Sequence, residues 1–93
     1  MLFEDAVRDE VLRRLKCGQG VSRALVARRL GVSERTLVRR LQERSTSFRY
    51  IVDSVRFSLA QQMILAGDQL DDVAAALGYA DRRSLSYAVR RWS

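Results

Sequence analysis

The sequence predicts an all-α fold, and three features carry that prediction. None of its 93 residues is proline, so no ring interrupts a helix anywhere along the chain. Apolar residues recur every three or four positions from end to end, with little β-branched alternation. Glycine and a capping Ser or Asp stand together at intervals that cut this pattern into short lengths.

Six helices result. The first runs from about Glu4 to Lys16 with Phe3, Val7, Val11 and Leu15 on one stripe, and Gly18 and Gly20 end it. Cys17, beside Gly18, reads as an ordinary helix-end residue. Ser22 caps a short second helix that finishes near Leu30. Gly31 then turns the chain, and Ser33 caps a third helix, Glu34 to about Arg44, by accepting from free N–H groups of its first turn. The fourth, about Phe48 to Ala66, carries Ile51, Val55, Leu59 and Met63 with further apolar residues between them, which predicts burial on more than one side. Gly67 and Asp68 break it. A fifth covers roughly Asp71 to Leu77, Gly78 turns the chain, and Asp81 caps a sixth from Arg82 to the end.

Short helix, glycine turn, capped arginine-rich helix has thus occurred twice. An offset of forty-seven residues lays VARRLG (26–31) on VAAALG (73–78), matching Val26, Ala27, Leu30 and Gly31 to Val73, Ala74, Leu77 and Gly78. Beyond the turn the offset becomes forty-eight: Ser33 meets Asp81, Arg35 meets Arg83, Leu37 meets Leu85 and Leu41 meets Val89, with one residue inserted near Ala80. A small Ala lets two helices approach, Gly tolerates a left-handed turn and the leucines fill the angle between helices, so the repeat predicts two helix-turn-helix subdomains. The long fourth helix links them, giving 1–46 as the first subdomain, 47–66 as the linker and 67–93 as the second.

Charge narrows the function. Seventeen Lys and Arg oppose eleven Asp and Glu, a net +6, and sixteen of the seventeen are arginine, whose planar fork suits phosphates and guanine edges. Residues 23–49 hold eight arginines against Glu34 and Glu43, and 82–93 add four without an acid, while the other fifty-four residues carry five bases and nine acids. Two basic patches point to a polyanion. There is no histidine, the usual general base and metal ligand, and one cysteine, which excludes an internal disulfide. The expectation is no enzyme, no metal and no cofactor. No apolar run approaches the ~20 residues of a membrane span, and the N-terminus lacks signal-peptide character, so no membrane partner and a cytoplasmic, nucleoid-associated place are expected.

On a helical wheel Leu37 and Leu41 define the inner side of the third helix, leaving Arg35, Thr36, Arg39, Gln42 and Glu43 outside, with Val38 and Arg40 on the flanks. In the sixth, Leu85, Ala88, Val89 and Trp92 face inward, and Arg83, Ser86, Tyr87 and Arg90 outward, with Arg82 in the first turn. Arg and hydroxyl side chains on exposed first turns suit entry into a major groove. Arg35, Arg39, Arg82 and Arg83 are read as DNA contacts, and Gln42, Glu43 and Arg44 as a solvated face. The linker, about nineteen residues at 1.5 Å each, spans ~28 Å, comparable to the roughly 34 Å between successive turns of one groove face. Charge and pattern leave three classes open: sequence-specific duplex binding, non-specific binding to RNA or nucleoid DNA, and a helical protein-interaction domain.

The stretches VARRLGVSERTLVRRLQERSTSFRYIVDSVRFSLAQQMIL (26–65) and DDVAAALGYADRRSLSYAVRRW (71–92) resemble the DNA-binding domain of the AraC/XylS family of bacterial transcription regulators, over about residues 19–92. The resemblance implies two homeodomain-like helix-turn-helix units that place recognition helices, about 34–44 and 82–92, in adjacent major-groove segments of double-stranded operator DNA. Carried onto matching positions, it implies base reading by Arg35, Thr36, Val38, Arg39, Arg82, Arg83, Ser86 and Tyr87. Phosphate contacts are expected from Ser33, Arg40, Arg49 and Arg90. Departures are Ser45 where the family commonly has glycine, and Leu85 and Val89 where it often has phenylalanine, which predicts looser packing in the second unit. The chain stops before the family's Gly-x-x-Pro stretch and final short helix. It is therefore expected to be a piece of a longer regulator, with RNA polymerase as a further partner and dimerisation through a missing domain; a standalone small regulator is the alternative.

Overall fold

The computed structural model describes residues 2–92, and every regular element in that range is helical. The helices are α1 (Phe3–Lys16), α2 (Arg23–Arg29), α3 (Glu34–Glu43), α4 (Phe48–Leu65), α5 (Leu70–Ala76) and α6 (Arg82–Trp92). Each lies within a residue or so of its expected bounds. The chain divides into two compact units between Val52 and Asp53, inside α4.

In the first unit α1 packs on α2 and α3, which pack on each other. Val7, Val11 and Leu15 on α1, Val26 and Ala27 on α2, and Leu37 and Leu41 on α3 are buried, as their 3.6-residue periodicity requires. Phe3 stays partly exposed, with the Arg40 guanidinium 5.0 Å over its ring. Glu10 is a buried carboxylate: Arg13 Nε and Nη2 donate to it at 3.1 and 2.7 Å, Arg14 Nε donates at 2.8 Å, and Arg29 Nε lies 3.9 Å away on α2. Ser22 Oγ accepts from the Leu25 N–H and starts α2. Ser45 closes α3 at φ +57°, a left-handed conformation that costs a side-chain-bearing residue roughly 1–2 kcal/mol. There its N–H bonds the Gln42 carbonyl and the Thr46 N–H bonds that of Leu41, satisfying carbonyls the helix end leaves free.

In the second unit α5 packs on α6, with Val73, Ala74, Leu77, Leu85 and Ala88 buried. The two glycine turns repeat bond for bond. Gly31 N–H reaches the Arg28 carbonyl as Gly78 reaches Ala75, and Val32 N–H reaches Ala27 as Tyr79 reaches Ala74. Gly31 and Gly78 both have positive φ, +74° and +86°, the conformation that favours glycine there.

Two expectations need correction. Burial along α4 covers Ile51, Val52, Val55, Leu59 and Ala60, but Met63 is only partly buried and Ile64 and Leu65 are exposed, so the last turn lacks a core side. The second unit is not short of aromatic anchors either. Leu85 is buried, and Trp92 meets Phe57 at 5.9 Å and Tyr79 at 6.2 Å between ring centroids, while the Arg56 guanidinium lies 5.6 Å from the Tyr79 ring. The rings come from α4, the turn and the end of α6 rather than from positions 85 and 89. Burial pushes the Tyr79 phenol pKa up, against the opposing charges of Arg56 and Arg91.

Candidate nucleic-acid interface

The site begins with the cap of α3. Ser33 Oγ accepts from the Thr36 N–H at 3.1 Å and its own hydroxyl donates to Thr36 Oγ1 at 3.0 Å, which fixes where the first turn begins. Leu37 and Leu41 are fully buried, and a buried stripe at that spacing forces the opposite stripe into solvent. Arg35, Thr36, Val38 and Arg39 accordingly line one open hollow of about 780 Å³. Arg35 and Arg39 are exposed, and Thr36 and Val38 partly so. Val38, a flank residue on the wheel, thus stands with the other three.

The charges in this hollow are loosely held. Arg39 Nε lies 3.4 Å from Glu43 Oε1, with both side chains about two-thirds exposed, a pairing of small worth in water. Arg35 makes no ion pair among the described residues. Arg40, expected at a phosphate, is exposed but turned toward the Phe3 ring. Arg49 is exposed in the first turn of α4 and borders a second hollow with Ser47 and Phe48.

Asp81 starts α6 in the same manner, its Oδ1 accepting from the Ser84 N–H at 2.8 Å. That backbone bond, then one from the Ser84 hydroxyl, holds its carboxyl pKa below the ordinary value. With Leu85 and Ala88 buried, Arg82, Arg83, Ser86, Tyr87 and Arg90 are all exposed. Arg82 Nε lies 3.9 Å from Asp71 Oδ1. The Ser86 hydroxyl donates to the Arg82 carbonyl at 2.9 Å, so toward solvent it offers lone pairs rather than a proton. Tyr87, at 56 % relative exposure, carries its ring into solvent.

Two further residues border this surface, one of them, Gln42, read from the sequence as part of a solvated face and the other, Arg23, given no individual reading. Arg23, from the start of α2, and Gln42, from the last turn of α3, border both hollows. A wheel of α3 places Gln42 on the outer half but cannot show that the start of α2 lies alongside. The serine cap immediately before Arg23 was the one available signal, because it sets that arginine at an exposed helix start.

The helix-turn-helix domain family, of AraC type, matches residues 26–93. The chain is 32 % identical to the HTH-type transcriptional regulator VqsM of Pseudomonas aeruginosa over 93 residues, 99 % of this chain and 26 % of the relative. It is 37 % identical over 68 residues to an uncharacterised HTH-type transcriptional regulator of Mycobacterium bovis, 72 % of this chain and 20 % of that one. The chain thus spans about a quarter or less of the length of these relatives. Among solved structures, the transcriptional regulator CdpR of Pseudomonas aeruginosa superposes with a TM-score of 0.76 at 38 % identity, covering 94 % of this chain and 29 % of that one. A DNA-binding transcriptional dual regulator of Escherichia coli K-12 does so at 0.84 and 23 % identity, covering 96 % and 85 %, a likeness of fold. With the family matched from Val26 inside α2 through the end of α6, this chain belongs to the AraC-type helix-turn-helix family of transcriptional regulators.

Proposed function

We propose that this DNA-binding domain recognises double-stranded DNA sequence-specifically, with α3 and α6 as recognition helices in adjacent major-groove segments. One observation carries the reading: in both capped helices the leucine side is buried and the arginine and hydroxyl side is open. Base contacts fall to Arg35, Thr36, Val38 and Arg39 on α3 and to Arg82, Arg83, Ser86 and Tyr87 on α6. Arginine bridges guanine O6 and N7, and Val38 offers an apolar surface to a thymine methyl. Ser86, its proton engaged, accepts from a base amino group.

Ser33, Arg40, Arg49 and Arg90 contact phosphates, for which Ser33 turns its hydroxyl away from Thr36 and Arg40 swings off Phe3. Functionally the chain divides into 1–46, the linker 47–66 and 67–93. Within a longer regulator the partner besides the operator is RNA polymerase, dimerisation rests on another domain, and the protein works in the cytoplasm on the nucleoid. No helix among the described residues is long and apolar enough to cross a membrane.

The experiment is selection of bound sites from a random duplex pool, followed by titration of the best site against random duplex at physiological salt. Two short boxes about one helical turn apart, bound at least ~1000-fold more tightly than random duplex, are expected. Equal affinity for every duplex, falling steeply with salt, would refute specific recognition. A single box would reduce one unit to a scaffold.

A further inference from the structure

We propose that Arg23 is a phosphate clamp for the duplex strand that borders α3, held ready by Glu34 and acting with Arg49; this rests on the reading of α3 as a groove-entering helix. Arg23 is the first residue of α2, yet it borders the hollow that holds Arg35 and Arg39 as well as the neighbouring one that Ser47, Phe48 and Arg49 line from the start of α4. Of the residues common to the two hollows, Arg23 alone is charged. A helix lying in the major groove has a sugar-phosphate backbone along its flank, and a side chain from an adjacent helix start arrives at that flank rather than at the base edges.

Its ion pair is poised for exchange. Arg23 Nε lies 3.8 Å from Glu34 Oε1, and both side chains are about half exposed, so water already weakens the attraction. Glu34 favours the start of α3 through its charge at the helix N-terminus and keeps the Arg23 guanidinium over the hollow in the free protein. A phosphate matches the planar fork of arginine with two parallel hydrogen bonds, and Arg23 also offsets Glu34, the carboxylate that lines the hollow. The other arginines of α2 are placed differently. Arg29 is drawn toward Glu10 at 3.9 Å, and Arg28 is exposed but borders neither hollow.

The test titrates the domain with its selected duplex and with random duplex between roughly 50 and 200 mM salt, for the wild type, Arg23→Ala, Arg23→Gln, Arg28→Ala and Glu34→Gln. Both Arg23 variants are expected to weaken binding to the two duplexes by the same factor. Their slope of log affinity against log salt becomes shallower by about 0.9, which makes the deficit about three-fold larger at the low-salt end than at the high-salt end. Arg28→Ala, which removes the same charge away from the hollows, leaves the slope unchanged, and Glu34→Gln strengthens binding to both duplexes. A wild-type slope in the Arg23 variants overturns the clamp, as does an equal effect of Arg28→Ala. A loss confined to one base pair overturns it too, by making Arg23 a base reader. A wild type that binds neither duplex defeats the groove reading itself, and that result needs no variant.

Discussion

Replacing Glu10 with glutamine keeps the shape of the side chain and removes its charge, and the consequence can be worked from the surroundings. Glu10 is 7 % exposed. Of its three arginines, Arg29 and Arg13 have 65 % and 42 % of their side chains in water, where pairing counts for little, but Arg14 has 12 %. Arg14 therefore suffers most: its Nε exchanges a charged acceptor at 2.8 Å for at best the neutral amide oxygen of glutamine, which Arg13 also contests, while the Gly20 carbonyl, 3.3 Å from its Nη1, is unaffected. A hydrogen bond to a charged group contributes about 1.5–3 kcal/mol, so the variant should lose about 2 kcal/mol. For a chain of this size that lowers the melting temperature by roughly 8–16 °C, read by far-UV circular dichroism.

The loss has a pH signature. Hydrogen bonds from Arg13, then its charge, and then the bonds and charge of Arg14, hold the Glu10 pKa below 4.5 against the upward pull of burial. A carboxylate with a lowered folded-state pKa stabilises fully above its unfolded value and loses that contribution as pH falls through the folded one. The gap between wild type and variant should be whole at pH 7 and close below about pH 4.5. Melting within about 3 °C of wild type at pH 7, or a gap that persists undiminished at low pH, would refute the account.

Further outcomes follow from the same geometry. Arg39→Ala and Arg83→Ala should each weaken binding to the selected site by about 1–3 kcal/mol and relax preference at one base pair; equal weakening on every duplex would make that arginine a phosphate contact. Leu37→Ala and Leu85→Ala, at 0 % and 2 % exposure, should each cost about 2–5 kcal/mol. Dichroism reports the first, and fluorescence of Trp92, which lies in the second unit, reports the second; unchanged melting would mean that the helix faces are reversed. Ser45→Gly should raise stability by about 0.5–1 kcal/mol, since glycine adopts the +57° φ without a Cβ penalty but gives up more chain entropy on folding. A lower denaturation midpoint would contradict that.

Much of this was legible in the residues because it depends on local chemistry. Ser22, Ser33 and Asp81 announce their helices, since a cap acts on N–H groups only two or three residues away. Leu37 and Leu85 announce the inner faces by spacing, and Gly31 and Gly78 the turns. What could not be read arises between elements. The aromatic cluster joins Phe57, Tyr79 and Trp92 across thirty-five positions, and no local period links them. The exposed Ile64 and Leu65 follow the same apolar pattern as the buried Leu59 and Ala60; what differs is whether a neighbour covers them. Arg23 belongs to the α3 surface for the same kind of reason. The Ser45 conformation was half visible, as a serine where a glycine was expected.

The bond-for-bond repetition of the two glycine turns has a consequence for how such a protein changes. The frame of each unit resides in Val26, Ala27, Gly31 and Leu37 and their counterparts Val73, Ala74, Gly78 and Leu85, none of which belongs to the proposed reading set. Exchanges at exposed positions such as 35, 39, 83 and 87 fall where substitutions usually alter stability by less than about 0.5 kcal/mol. Address and chassis are then separate inheritances. In the proposed two-helix reading, substitutions on one recognition helix would change one half of the operator preference while the other helix still holds the duplex, so a new target could be acquired without first losing the fold or all binding.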